Sequence, residues 1–271
     1  AMPGTVKRVY ITGGSSGIGL ALAQVYVSRG SDVVLIARDE AKLDAAVQIC
    51  KRLCTDSAQQ VAGESVDVTG YGLLGLKLRR EMEPTGPPDL LLLCAGVAGC
   101  STFLDTSPVE YNRVVDINFA GSREVARAIL PDMLQRGSGQ IAFVSSLSGL
   151  VGVYGYTAYS ASKFAISGFV QALRQELAGT GVSVHLVCPP EVDTPMIRAE
   201  AATVLPQTRL LKDLIGTLEP GQAARKIAAG IHSGSAVIIP GFRARIVTAI
   251  ARLFPGLFAM GAEALLRWRF M

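Results

Sequence analysis

The chain has 271 residues, 49% of them hydrophobic and 18% charged, and a net charge of +4. That is enough apolar material for one large core, and it excludes a disordered polymer and, with 5 cysteines, a disulfide scaffold. The charge is too small to indicate nucleic acid, and no apolar run reaches the ~18 residues of a membrane span.

The elements read in order as a strand over 8–12, a helix over 18–29 closed by Gly30, an apolar strand over 32–37 and a helix over 41–53. A strand over 60–66 and a helix over 72–83 follow, then a surface turn, Pro84-Thr85-Gly86-Pro87-Pro88, and a strand over 90–94. One long helix is expected over 109–135, a strand over 140–145, a helix over 159–178 and a strand over 183–188. Continuous apolar strands alternating with helices indicate an α/β fold: a doubly wound parallel sheet with helices on both faces. The reading is one domain over 1–240 with a C-terminal amphipathic helical extension over 241–271. No signal peptide is read at the start, where Ala1-Met2 looks like a cloning remnant.

The extension carries five arginines (Arg243, Arg245, Arg252, Arg267, Arg269) against Glu263, which is the whole net charge of +4. Ile246, Ile250, Leu253, Phe254, Leu257 and Phe258 recur at helical spacing, with Trp268 beyond and Pro255 interrupting. Two occupants suit such a basic apolar face: a membrane surface, or the domain and a partner subunit. Cys50, Cys54, Cys94, Cys100 and Cys188 make no C-x-x-C pair, and the chain has only 2 histidines, so no metal site is expected. Free thiols suit a reducing, cytoplasmic compartment, with the extension as the candidate for contact with the cytoplasmic membrane surface. His185 lies in an apolar run and reads as a core residue.

The first strand runs into Thr12-Gly13-Gly14-Ser15-Ser16-Gly17-Ile18-Gly19, and a helix follows at once. Glycines let backbone approach a pyrophosphate, and the helix start offers free N–H groups. Strand before and helix after is the context that a dinucleotide loop requires. Just past the second strand stands Arg38, where an acidic residue would hold a ribose 2′-hydroxyl. Arginine suits a 2′-phosphate instead, with Lys42 one turn on, which points to NADP(H). Asp39 is discordant and is expected to cap the next helix.

Tyr159 and Lys163 are four apart on a helix and face the same way. A nearby ammonium favours phenolate, which would bring a phenol into proton-transfer range. Ser146 ends the fifth strand, Asn118 sits in the long helix, and Cys94-Ala95-Gly96 ends the fourth strand. In an open parallel sheet the ligand lies beyond such strand ends.

These pieces together resemble the short-chain dehydrogenase/reductase family over about 8–240. The pattern is carried by T-G-x-x-x-G-x-G from Thr12 to Gly19, Asp67-Val68, Ala95-Gly96, Asn118, Ser146, Y-x-x-x-K at Tyr159 and Lys163, and P-x-x-V-x-T from Pro189 to Thr194. Leu93-Cys94 stands where the family has two asparagines, a departure expected to loosen a strand tether. Pro189-Pro190 stands where it has Pro-Gly. The resemblance implies that Tyr159 is the general acid for ketone reduction. It implies that Lys163 lowers the Tyr159 pKa and holds the nicotinamide ribose, that Ser146 bonds the substrate carbonyl and that Asn118 anchors a relay water. Gly13, Ser15, Ser16, Gly17, Ile18 and Gly19 would line the diphosphate and adenosine ribose, Asp67 and Val68 would meet the adenine, and Val192 and Thr194 would hold the carboxamide. A homo-oligomer is also implied.

Within the family, 155–165 (around Tyr156, Tyr159 and Lys163), Pro189-Pro190, Asp193-Thr194-Pro195, Thr208-Arg209-Leu210 and Glu219-Pro220-Gly221-Gln222 are similar to the 3-ketodihydrosphingosine reductases. That likeness implies NADPH-dependent reduction of the keto group of a long-chain lipid. Segment 191–218 reads as an apolar lid with few charges, which favours a greasy substrate. Reduction of another bulky or acyl ketone, or a catalytically silent dinucleotide sensor, are the alternatives on the same fold. Tyr154 and Tyr156 could line the pocket or pack.

Overall fold

The computed structural model describes residues 6–82 and 86–270. Ala1-Met2, Glu83 and the Pro84-Thr85 part of the expected turn lie outside the described residues. The first half holds β1 (Arg8–Thr12), α1 (Gly17–Val27), β2 (Asp32–Ala37), α2 (Glu40–Lys51), β3 (Val61–Ser65), α3 (Tyr71–Met82), β4 (Leu90–Leu93) and α4 (Pro108–Val115). After a π-turn over Asp116–Gly121 come α5 (Ser122–Arg136), β5 (Gly139–Val144), a 3₁₀ turn over Leu147–Gly149, α6 (Thr157–Glu176) and β6 (Val182–Val187). The remainder is β7 (Glu191–Val192), α7 (Pro195–Glu200), α8 (Pro206–Asp213), β8 (Thr217–Leu218), α9 (Pro220–His232), β9 (Val237–Ile238), α10 (Phe242–Leu253) and α11 (Pro255–Phe270).

Seven strands form one parallel sheet in the order β3-β2-β1-β4-β5-β6-β9, and β7 pairs with β8 in a separate short ribbon. The four leucines of β4 show why the strands are continuously apolar. Leu90 and Leu92 pack with Leu22 of α1, Leu43 of α2 and Ile227 of α9. Leu91 and Leu93 pack with Leu78 of α3, Ile129 of α5 and Ile166 of α6. A strand covered on both faces has no polar side to alternate with. This is the doubly wound, single-domain fold expected.

Three differences have local causes. The expected helix over 109–135 is broken at its middle by the π-turn, which carries Asn118. The sheet gains β9 at its edge, preceded by α9; two paired residues are too few to show a period. The single C-terminal helix is instead two, with α11 starting at Pro255 and bent by 116° from α10. Proline suits the first turn of a helix and ends the one before it. Within the extension, Ala244 and Thr248 of α10 are buried, whereas α11 buries no residue.

His185 is a core residue as expected, with Nδ1 at 2.7 Å from the Ser235 carbonyl, and burial lowers its pKa. All five cysteines are free thiols. Substituting Leu92→Ala, at 0% exposure, is expected to destabilise the fold by about 3 kcal/mol through lost burial and a residual cavity. Urea unfolding checks it, and a loss under about 1 kcal/mol would mean that the central strand repacks freely.

Candidate active site

The strand ends beyond β1, β2, β4, β5 and β6 surround one cavity of ≈ 450 Å³. Of the catalytic and cofactor-binding residues expected from the sequence, all but Asn118 line it.

At one end lies the glycine loop. A Cβ on Gly13, which has φ +66°, would stand 2.9 Å from the Ala95 backbone; one on Gly19 would stand 2.3 Å from the Gly13 carbonyl. Only bare backbone fits, which leaves a cradle against the start of α1. Ser16, the N-cap of α1, makes no side-chain cap bond, so the helix start presents unsatisfied N–H groups to the cavity. That set of donors fits the pyrophosphate of a dinucleotide. Arg38 lines the same end. Asp39 caps α2 as expected, accepting from Lys42 N at 3.1 Å, but it also pairs with Lys42 Nζ at 3.0 Å. Lys42 is therefore partly neutralised by an acid on the same turn. Asp67 accepts from the Thr69 amide and hydroxyl, which together with the Arg38 charge hold its carboxyl below the usual range.

The expected loosening at Leu93-Cys94 does not occur. Thr12 Oγ1 accepts from Cys94 N at 3.1 Å and from Ala95 N at 3.2 Å, so the strand ends are tethered through backbone, whatever side chains stand there.

In the middle are Ser146, Tyr159 and Lys163. Ser146 follows β5, caps the 3₁₀ turn and accepts from Ser148 N at 3.1 Å. Lys163 Nζ donates to the Val144 carbonyl at 3.0 Å and lies 5.6 Å from the Tyr159 ring centroid. Burial lowers the Lys163 pKa to about 8. Burial pushes the Tyr159 phenol up to about 12; a hydrogen bond with Ser146 pulls it down, and Glu200 and Cys188 raise it. The net direction is opposite to the one expected from the Lys163 spacing, because desolvation outweighs the lowering by Ser146. The phenol is thus held as a neutral O–H donor, the form that a general acid needs.

Asn118 sits behind this group, at 0% exposure. Its Oδ1 accepts from Val97 N at 2.7 Å, and its Nδ2 donates to the Val97 carbonyl and to Ser162 Oγ, each at 2.9 Å. The amide clamps the loop after Gly96 rather than facing the cavity. Pro189, Val192 and Thr194 form the opposite wall, with Thr194 Cγ2 3.1 Å from where a Cβ on Gly17 would stand.

The far end lies under 191–218. Its wall is apolar as expected, with Met196, Ile197, Leu211 and Ile215, but its charges turn inward. Glu191, Glu200 and Lys212 are buried to 5%, 7% and 11% side-chain exposure and pair with one another through Lys212. Sequence reading passed over them because no period marks which way a loop residue points. Tyr156 lines the cavity and is buried, whereas Tyr154 is exposed.

Residues 7–204 match the family model described as short chain dehydrogenase. The chain belongs to the short-chain dehydrogenase/reductase family and is an oxidoreductase. Within it, the chain is 36% identical over 236 residues to the 3-ketodihydrosphingosine reductase of Bos taurus, covering 87% of this chain and 70% of that one. It is 37% identical over 236 residues to a 3-dehydrosphinganine reductase of Arabidopsis thaliana, covering 86% and 69%. A crystal structure of actinorhodin polyketide ketoreductase with NADPH superposes with TM-score 0.77 at 28% identity, covering 86% of this chain and 95% of that one.

The folded chain binds the Lys163 proton less tightly than an unfolded one does. Its burial therefore destabilises the fold below about pH 8, and the loss is relieved as pH rises from about 8 towards 10.5. Lys163→Met is expected to gain about 1–3 kcal/mol at pH 7, less at pH 10, while losing activity. Denaturant unfolding at both pH values checks it; a variant less stable at pH 7 would contradict the burial argument.

Proposed function

We propose that the chain reduces the 3-keto group of a long-chain sphingoid base with NADPH, taking 3-ketodihydrosphingosine to dihydrosphingosine. The identity to reductases of that name, over most of this chain and beside an intact Ser146, Tyr159 and Lys163, carries the reading. The balance is ketone plus NADPH plus a proton, giving alcohol plus NADP⁺.

Bound along the glycine loop, the dinucleotide would supply the hydride. Gly13, Ser15, Ser16, Gly17, Ile18 and Gly19 hold its diphosphate and adenosine ribose, and Arg38 with Lys42 holds the 2′-phosphate. Asp67 and Val68 flank the adenine, Ala95, Gly96 and Pro189 frame the crevice, and Val192 and Thr194 hold the carboxamide. Ser146 donates to the substrate carbonyl oxygen, and Tyr159 delivers the proton to it as negative charge develops there. Lys163 holds the nicotinamide ribose hydroxyls and orients the phenol. Asn118 positions the loop after Gly96.

A second part of the reading concerns the extension. Among the described residues no single helix is long and apolar enough to cross a membrane; α10 with α11 reaches that composition only as a bent pair. Leu253, Phe254, Leu257 and Trp268 are exposed beside Arg252, Arg267 and Arg269. We infer that this elbow lies on an anionic membrane surface, where a lipid substrate is found, with the catalytic domain in the cytoplasm. A homo-oligomer is part of the same proposal.

NADPH oxidation with 3-ketodihydrosphingosine and a 3-oxoacyl thioester side by side, and NADH as control, tests the substrate. Preference for the thioester would move the enzyme into fatty-acid chemistry. Tyr159→Phe is expected to lower kcat by about 10²–10⁴-fold, and full retained turnover would refute its role. Arg38→Ala is expected to raise the NADPH KM by about 10-fold while sparing NADH; an equal effect on both would refute the 2′-phosphate contact. Flotation with phosphatidylserine vesicles should be lost in a Leu253→Glu, Leu257→Glu double variant, and unchanged flotation would refute the membrane contact.

A further inference from the structure

Glu191 of β7, Glu200 at the end of α7 and Lys212 of α8 pair inside the lid, and Arg209 joins them through Glu191 at 3.2 Å. Two carboxylates face two cations, so the cluster is balanced within the lid itself. One further group enters it from outside the lid. The Tyr156 OH donates to Glu200 Oε2 and accepts from Lys212 Nζ at 3.0 Å, and the same Nζ stands 5.4 Å from the Tyr156 ring centroid. Tyr156 is buried, lines the cavity with Lys212, and stands just ahead of α6, three residues before Tyr159.

The Tyr156 backbone is fixed without the lid. Its N–H donates to the Val153 carbonyl at 3.1 Å, its carbonyl accepts from Ser160 N at 2.6 Å, and it forms a β-bridge with Ser101. Its hydroxyl, by contrast, is held by Glu200 and Lys212, both from the lid. The ring held in this way lies 5.3 Å from the Tyr159 ring, tilted by 55°. The lid is tied to the domain elsewhere: Thr208 Oγ1 donates to the Tyr154 carbonyl at 2.7 Å, and Leu205 N donates to Cys100 Sγ at 3.4 Å. Attaching the lid therefore does not require a buried phenol between a carboxylate and an ammonium. A phenol held there does what those ties do not: it carries the seating of the lid to the ring of the general acid.

We propose that Tyr156, locked by Glu200 and Lys212, is a positioning residue for Tyr159, so that the proton donor is aligned on the ketone only while the lid is seated. This rests on the reading of Tyr159 as the general acid, and not on which ketone is reduced. A general acid acts only within hydrogen-bond reach of the atom it protonates, and a small misplacement costs much of the rate. The groups that bear on the Tyr159 phenol come from each side of the site. They are Lys163 on α6, Ser146 after β5, Cys188 after β6, Tyr156 ahead of α6, and Glu200 of the lid beyond Tyr156. Lys212 and Arg209 stand further out, paired with the lid carboxylates. The Glu200 charge raises the Tyr159 pKa, so a seated lid also keeps the donor protonated. The proton is then delivered when the substrate is enclosed.

The test measures kcat, KM and the pH dependence of kcat in the full chain, with NADPH and the better of 3-ketodihydrosphingosine and the 3-oxoacyl thioester. Tyr156→Phe keeps the ring and removes its clamp. It is expected to lower kcat by about 10–100-fold with little change in the NADPH KM. Glu200→Gln keeps the shape and an acceptor for the Tyr156 hydroxyl but removes the charge. The alkaline fall of kcat should then begin about one pH unit lower. An unchanged kcat in Tyr156→Phe would overturn the positioning role. So would an alkaline limb that stays in place in Glu200→Gln, since a purely structural tie moves KM and stability but not that limb. Urea unfolding places each variant. Should Tyr156→Phe lose its fold, the double variant Tyr156→Phe, Glu200→Gln carries the kcat arm, because donor and charge leave together. Turnover of no ketone by the wild-type chain would sink the reductase reading, and the coupling is then read without substrate. With carbon-13 at the phenolic carbon of tyrosine, the Tyr159 resonance is identified by its loss in Tyr159→Phe. Its titration should start about one pH unit lower in Glu200→Gln, and an unmoved titration overturns the coupling.

Discussion

The crevice exists because the chain winds outward in opposite directions from β1 and β4, and the Thr12 hydroxyl holds those two strand ends together at the divide. Helices leave the sheet to one side and the other, so the space between the first turns of the flanking segments is not filled by backbone. Every group assigned to chemistry then arrives at the same edge. The glycine loop follows β1, Arg38 follows β2, Ala95 and Gly96 follow β4, Ser146 follows β5, and the proline wall follows β6. Asn118 serves the same divide from behind by fixing Val97 on both its N–H and its carbonyl.

The site is held in electrostatic tension. Lys163 is buried with the Val144 carbonyl as acceptor, and its pKa falls to about 8. Tyr159 is buried and rises to about 12. Glu200 is buried with one oxygen unsatisfied. None of these arrangements favours the folded state by itself. The apolar layers on the two faces of the sheet, from Leu22 to Ile227 on one side and Leu78 to Val170 on the other, supply the stability that permits them.

Much of this was legible in the sequence because it depends on local pattern. The centres of β1, β2, β4 and β5 are unbroken apolar runs, the glycine loop sits between a strand and a helix, and Tyr159 and Lys163 stand one turn apart. What was not legible depends on direction in space. The π-turn at Asn118 leaves the apolar period of the long helix almost unchanged, so nothing in the spacing reveals it. Two-residue strands such as β9 have no period. The lid reads as apolar because most of its residues are, yet Glu191, Glu200 and Lys212 point inward, and only the packing of α7 and α8 on Tyr156 determines that. Pro255 was visible as an interruption, but a break in the period carries no angle, so the 116° turn there was not.

The pairing of β1 bears on how the protein is made. β1 lies between β2 and β4, and its second neighbour is not available until residue 93 has been synthesised. The far wall, at Thr194, and the lid residue Ile215 come later still. No N-terminal fragment therefore contains a complete dinucleotide crevice, and contacts of such long sequence separation form slowly. A ligand that recognises the finished crevice cannot guide the nascent chain; it acts afterwards, by drawing the completed fold away from its unfolded forms. Until then the apolar strand edges of β1 and β4 have only chaperones, or one another, to cover them.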